Sequence, residues 1–359
     1  MSVDEGVPGN TTQRSRRWQR VGARRALLAA VVLALAGTAA GLVVSLTTGG
    51  SPSLPSTTLP GQFTPLSLAF SPDGRFLAVG GGYPDGPSDE VDLLSVATGK
   101  IAAEWQVPQG TAVHAVAFSP DGSILVTGGD DDRVSAWNVA QLTAGLHRPV
   151  ATYRLTGSVL AAAFRPGGTM LATGDDDGRI TLWNRATGRV AAQLTAPPGL
   201  SAYDLAFSPD GRTLAIDELG LPPQSRIKLW NVSSGKSLPS LGDPVGATHA
   251  VAFSPDGAVL ATADTDGTGL WDVATGRLRA RLTADSAPVS KLAFSPDGKT
   301  LAAGGADGVT TVWDVATRRI LFTLTGQARS VQSVAFSPDG SILATASYDD
   351  TVRLWGTRK

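Results

Sequence analysis

Side chains able to do nucleophilic, acid–base or metal chemistry are scarce in this chain and poorly grouped. Its 359 residues include no cysteine and three histidines, His114, His147 and His249. Without thiols there are no disulfides, thiolate metal sites, iron–sulfur clusters or cysteine nucleophiles. A three-histidine metal site would consume every imidazole present. Ser71 and its repeats sit beside Pro and Asp with no histidine at matching spacing, so they read as turn residues rather than nucleophiles. The acid runs Asp130-Asp131-Asp132 and Asp175-Asp176-Asp177 lack the alternating ligands and distal glutamate of a hand-type calcium loop, and read as solvated hairpin turns. No catalytic residue, cofactor-binding residue or metal ligand is assigned. Basic and acidic residues nearly balance at 30 and 31, which argues against a nucleic-acid partner.

The balance hides an asymmetry that organises the N-terminal part. Residues 1–25 carry Arg14, Arg16, Arg17, Arg20, Arg24 and Arg25 against Asp4 and Glu5, a basic tail. Ala26 to Leu46 then runs without a charge. As a helix it would measure about 31 Å, matching the roughly 30 Å hydrocarbon core of a bilayer. The arginine asymmetry places the tail in the cytoplasm and all that follows outside it, as a single-pass membrane protein. A signal peptide cleaved near Ala34-Leu35-Ala36, giving a secreted protein, is the alternative. Gly37 and Gly41 put small residues on one face of the span, the spacing that lets two such helices form a homodimer; an Ala-rich span also yields it by composition. Residues 47–59, rich in Ser, Thr, Pro and Gly, read as a short linker.

Beyond the linker, 42 glycines and 23 prolines in the whole chain, well above the roughly 12% the two average, point to short elements and tight turns. The string Ala-Phe-Ser-Pro-Asp-Gly occurs six times, and a seventh copy reads Ala-Phe-Arg-Pro-Gly-Gly. Its phenylalanines are Phe70, Phe118, Phe164, Phe207, Phe253, Phe294 and Phe336, spaced 41 to 48 residues apart. Each unit reads as four strands of four to six residues, with Pro and Gly fixing the first turn. A four-stranded sheet that is apolar on both faces cannot bury them alone. Seven such sheets stacked around an axis bury both between neighbours.

These hairpins, with third strands ending in Trp137, Trp183, Trp230, Trp271, Trp313 and Trp355, resemble the tryptophan–aspartate (WD) repeat β-propellers. The Ala/Gly/Arg-rich composition resembles bacterial, actinobacterial members of that group. The resemblance implies an all-β, seven-bladed propeller of four-stranded antiparallel blades over residues 60–357. Blade one has Leu94 where Trp is expected, and Gly326-Gln327 is the nearest match to the Gly-His pair that usually precedes the first strand. Turn aspartates stand at Asp131, Asp177, Asp266, Asp307 and Asp349, where an Asx-type bond accounts for them. Blade five is short before Gly269, where a bulge is expected. The chain ends after the third strand of repeat seven, so the missing strand must come from about Ser53–Leu59.

Four positions before each motif Phe stand unlike residues: Leu66, His114, Leu160, Tyr203, His249, Ser290 and Gln332. By resemblance they lie near the mouth of the central channel, with His114 and His249 three blades apart. Long second turns add Tyr83, Pro84, Leu219, Leu221, Pro222 and Pro223 to the same rim as an apolar patch for a protein partner. The expectation is therefore a membrane-tethered, extracytoplasmic, non-catalytic scaffold or sensor. A small-ligand-binding or hydrolytic propeller using the channel mouth is the alternative. Fold alone decides neither.

Overall fold

The computed structural model describes residues 56–60, 63–82, 89–107, 112–220, 225–239, 241, 248–264, 267–283 and 288–357. The tail, the apolar span with Gly37 and Gly41, and the linker to residue 55 lie outside them, as do Tyr83, Pro84, Leu221, Pro222, Pro223 and Asp266. Among the described residues, no helix is long and apolar enough to cross a membrane.

The described residues form seven four-stranded antiparallel sheets. In blade one, Thr64–Phe70, Phe76–Gly82, Asp89–Ser95 and Lys100–Val107 pair in that order from the inside out. The first strand of each blade packs against the first strand of the next, and Val331–Phe336 of blade seven returns to Thr64–Phe70, closing the circle. In blade seven the outermost strand is Ser56–Pro60, which pairs antiparallel with Thr351–Gly356 from Ser56↔Trp355 to Pro60↔Thr351. The beginning of the ring thus completes its last sheet. A five-residue helix, Val139–Thr143, follows the third strand of blade two, capped by Asn138 Oδ1 accepting from Gln141 N at 3.0 Å.

Burial follows directly from this arrangement. Among the described residues the buried apolar side chains fall into seven clusters, and each joins two adjacent blades. At the seam between blades three and four, Ile180 and Leu182 meet Leu205, Leu214 and Ile216. At the closing seam, Ala344, Ala346 and Val352 meet Phe63, Leu77, Val79 and Leu94. Leu94 therefore does the packing expected of the absent Trp. Two seams add aromatic contact from a fourth strand onto the next blade's Trp: Trp105 with Trp137 at 5.4 Å and Tyr153 with Trp183 at 4.8 Å between ring centroids. The blades approach closely enough that a Cβ on Gly128 would lie 2.5 Å from Val159 Cγ1.

A second regularity lies inside the blades. The indole N–H of Trp137, Trp183, Trp271 and Trp355 donates to Thr127, Thr173, Thr262 and Thr345, at 2.9, 2.9, 2.9 and 3.0 Å. The register that sets Leu125 opposite Trp137 puts this threonine two residues further along the second strand. Ile216 and Ala303 occupy that place in blades four and six, and there the indole N–H of Trp230 and of Trp313 has no partner.

Blade five corrects one expectation. Its second and third strands pair without a break from Val259↔Asp272 to Asp264↔Gly267, so there is no bulge before Gly269. The shortening falls in the turn itself, where only two residues separate Asp264 from Gly267.

Candidate functional site at the variable mouth of the ring

The two rims differ chemically because different turns build them. One rim carries the Ser-Pro-Asp-Gly turns. Ser71 Oγ donates to Asp73 Oδ1 at 2.6 Å and accepts from Phe76 N at 2.9 Å, while Asp73 Oδ1 also accepts from Arg75 N at 3.0 Å. The same bonds recur at Ser119, Ser208, Ser254, Ser295 and Ser337. Every hydroxyl in the set is engaged, which gives these serines a structural role. The Ser71 hydrogen bond holds Asp73 below the usual carboxylate range. Gly298 closes its turn at φ 71°, where a Cβ would touch Pro255 of the preceding turn. In blade three Arg165 replaces the serine and bridges to the next blade by donating to Gly211 O at 2.8 Å.

The opposite rim is where the first strands begin. In six blades the pairing of first and second strands slips by one residue, between Pro65/Ser67, Val113/Ala115, Val159/Ala161, Ala202/Asp204, Val289/Lys291 and Val331/Ser333. The extra residue in each is Leu66, His114, Leu160, Tyr203, Ser290 or Gln332, six of the seven residues that stand four positions before the motif Phe. A β-bulge leaves its extra residue out of the ladder and re-aims its side chain. In blade five His249 stands at this level with its N–H donating to Ala263 O at 3.0 Å.

These residues are not equally available. The His114 side chain is 7% exposed, and its Nε2 lies 2.8 Å from Asp130 Oδ1. Tyr203, His249 and Gln332 are half-buried. The Tyr203 and His249 rings meet edge-on at 6.3 Å between centroids. Gln332 Nε2 donates to Ser330 Oγ at 2.9 Å. Leu219 is corrected: at 5% exposure, paired with Ser201, it belongs to the packed interior and not to a surface patch.

One residue further along, the side chains link blades. Ser67 Oγ, Asp204 Oδ2 and Ser333 Oγ accept from Val116 N, Val251 N and Leu68 N of the following first strands, at 3.2, 3.0 and 3.1 Å. Lys291 of blade six reaches past Ala250 to Asp204 of blade four at 3.0 Å. Burial alone would lower the Lys291 pKa, but the Asp204 charge beside it raises it instead. Beside this pair Asp217 is fully buried, with Oδ1 accepting from Thr248 Oγ1 and Oδ2 without a hydrogen-bond partner. Burial raises Asp217 to about 7 against the pull of the Thr248 hydrogen bond. Burial, and then the Lys291 charge, lowers His249 to about 4, leaving a neutral imidazole.

The acid runs also need correction. Asp175 is wholly buried, with Oδ1 accepting from Arg179 N at 2.7 Å, so in blade three this residue takes the turn amide. Burial raises it to about 6. Glu218 and Asp264 hold the same register place in the next two blades, both fully buried. Arg226 at 2.6 Å and Arg281 at 2.7 Å meet their charges. Sequence reasoning missed this row because the acids are scattered among unlike neighbours; the common register emerges only once the units are aligned on the Leu that faces each Trp. Gln327 is buried and donates weakly to Thr345 O and Thr351 O, both at 3.4 Å, standing in for the absent histidine in blade seven.

Among the described residues, the only group of three or more His, Asp or Glu whose ligand atoms converge is Glu90, Asp92 and Glu104. It lies on the third and fourth strands of blade one, where the register sets Glu90 at the level of Pro65 on the first strand.

A closed ring of seven sheets, one rim repetitive and the other varied, defines a β-propeller of the repeat type that commonly binds protein partners. The WD domain, G-beta repeat pattern matches residues 54–86, 102–138, 148–184, 236–271, 276–314 and 318–356, more than half of the chain. The chain therefore belongs to the WD40 family. No curated protein matches it.

Proposed function

We propose that this protein is a membrane-tethered, non-catalytic WD40 scaffold or sensor. Its propeller lies outside the cytoplasm and grips a protein partner through the rim where the first strands begin. The observation that carries this reading is the rim set: six blades raise a bulge residue at one level, His249 stands at that level in blade five, and the residues vary irregularly around the ring. Leu66 and Leu160 are apolar, His114, Tyr203 and His249 aromatic, and Ser290 and Gln332 polar; the His114 side chain is buried and the others are half-buried. Seven equal groups would suit a symmetric ligand, whereas an irregular ring of Leu, His, Tyr, Ser and Gln suits one asymmetric chain. Tyr203, beside the Lys291–Asp204 pair, is of the aromatic type that anchors the centre of a protein interface. Among the described residues, the one set of three acids with converging ligand atoms lies on the third and fourth strands of blade one and not on the first strands.

Tethering rests on the charge-free stretch 26–46 behind an arginine-rich tail. A reporter fused after Lys359 that works only outside the cytoplasm should be active, and one that works only inside should be silent. The reverse pattern would overturn the orientation. Homodimerisation through Gly37 and Gly41 is part of the same proposal, and Gly37→Ile should abolish cross-linking of two spans if they pair there.

A further inference from the structure

Blade one contains an arrangement that partner binding does not use. Its third strand, Asp89–Ser95, places Glu90 and Asp92 two residues apart on one face, and the register sets Asp92 opposite Glu104 of the fourth strand. That face turns toward blade seven. Asp92 pairs across with Val79 and Leu94 follows it on the same side, and both pack with Ala344 and Val352 of the last blade. One carboxylate oxygen from each of Glu90, Asp92 and Glu104 lies within 4.8 Å of the other two. Glu90 and Asp92 are only 7% and 5% exposed, while Glu104 faces solvent.

Oδ1 of Asp92 is buried with no hydrogen-bond partner. Among the described residues, no basic side chain forms an ion pair with any of the three acids. Elsewhere among the described residues of the ring Glu218 is met by Arg226 and Asp264 by Arg281, while the buried Asp175 and Asp217, without an ion pair, accept from Arg179 N and Thr248 Oγ1. Carboxylates removed from water without a counter-charge are costly, and three aimed at one point also repel one another. An all-oxygen donor set open to water on one side is what a hard divalent cation takes, displacing the proton that Glu90 and Glu104 share in their side-chain hydrogen bond.

We propose that Glu90, Asp92 and Glu104 bind one hard divalent cation of the calcium–magnesium class, with water completing its shell on the Glu104 side. The ion would clamp the third and fourth strands of blade one beside the seam that the Ser56–Pro60 strand helps to close.

The test uses the full chain, stripped with a chelator and titrated with calcium alone and magnesium alone. Calorimetry should find one ion per chain with Kd roughly in the 10⁻⁵–10⁻³ M range, and the thermal midpoint should rise with the ion. Asp92→Asn and Glu104→Gln should each weaken binding at least tenfold. Without metal, the Asp92→Asn protein should be no less stable than the metal-free wild type, an outcome that a purely structural role for this carboxylate would not give. Glu104 is exposed, so its variant keeps the test valid if the Asp92 change impairs folding. Asp132→Asn, in an acid run on blade two, should bind as wild type does. Absence of binding by both ions, binding unchanged in both blade-one variants, or loss of binding in Asp132→Asn would each overturn the proposal.

Discussion

Replacing Thr127 by Val tests whether the indole–threonine bonds hold the blades together. The change keeps the branched shape but removes Oγ1, the acceptor 2.9 Å from Trp137 Nε1. Trp137 is 1% exposed, so water cannot replace the lost partner. Removing a buried hydrogen bond while leaving its donor unsatisfied costs about 1–3 kcal/mol. The added methyl surface returns up to about 0.8 kcal/mol. The net expectation is a loss of about 1–2 kcal/mol. For a ring of this size that is a fall of roughly 2–4 °C in thermal midpoint. Denaturant unfolding followed by tryptophan fluorescence gives the free energy, and a double-mutant cycle with Trp137→Phe separates the bond from the packing. A coupling of about 0.5 kcal/mol or more supports the bond. An unchanged or raised midpoint for Thr127→Val, or zero coupling in the cycle, would refute the reasoning.

Other expectations follow from the seams and from the mouth. Gly128→Ala should cost about 1–3 kcal/mol by overpacking, because its Cβ would lie 2.5 Å from Val159 Cγ1, and Val159→Ala should relieve much of that cost in the double variant; equilibrium unfolding reads both. Asp217 holds its proton to about pH 7 when folded and releases it near 3.8 when unfolded, so the folded state binds more protons in between. Its contribution to stability is therefore complete at low pH and declines as pH rises from about 4 toward about 7. Asp217→Asn should remove that slope, and a stability–pH profile identical to wild type would contradict the assignment. The groups facing Asp217 are Thr248, Asp204, Lys291 and Glu218. His249 acts in the opposite sense: held neutral to about 4, it contributes stability that is lost as pH falls below about 6.5. Deleting Ser56–Pro60 should expose the edge of Thr351–Gly356, lower the unfolding midpoint and promote self-association measured by light scattering.

The seven-fold repetition and the strand turns were legible because each copy repeats the same Phe, Pro and Gly at one phase, and local turn chemistry needs no distant partner. The unlike residues before each motif Phe were visible by the same alignment, but their β-bulge was not, since a bulge is a property of two strands together. Leu219 looked like surface because it adjoins an insertion rich in Pro; the register carries it inward opposite Ser201. The acid runs looked solvated because polar runs usually are, whereas Asp175 ends a second strand inside the ring. Glu90, Asp92 and Glu104 were illegible for a related reason: the third acid joins the first two only across a strand pair.

The central claim is that the bulge rim, rather than the Ser-Pro-Asp-Gly rim, receives a protein partner outside the cytoplasm. The most direct test places a photo-cross-linking residue singly at Tyr203, Gln332, Asp210 and Asp297 in intact cells that express the full chain. The account predicts a discrete cross-linked protein band from Tyr203 and Gln332 and none from Asp210 or Asp297. Bands arising mainly from Asp210 and Asp297, or no band from either bulge position, would contradict it.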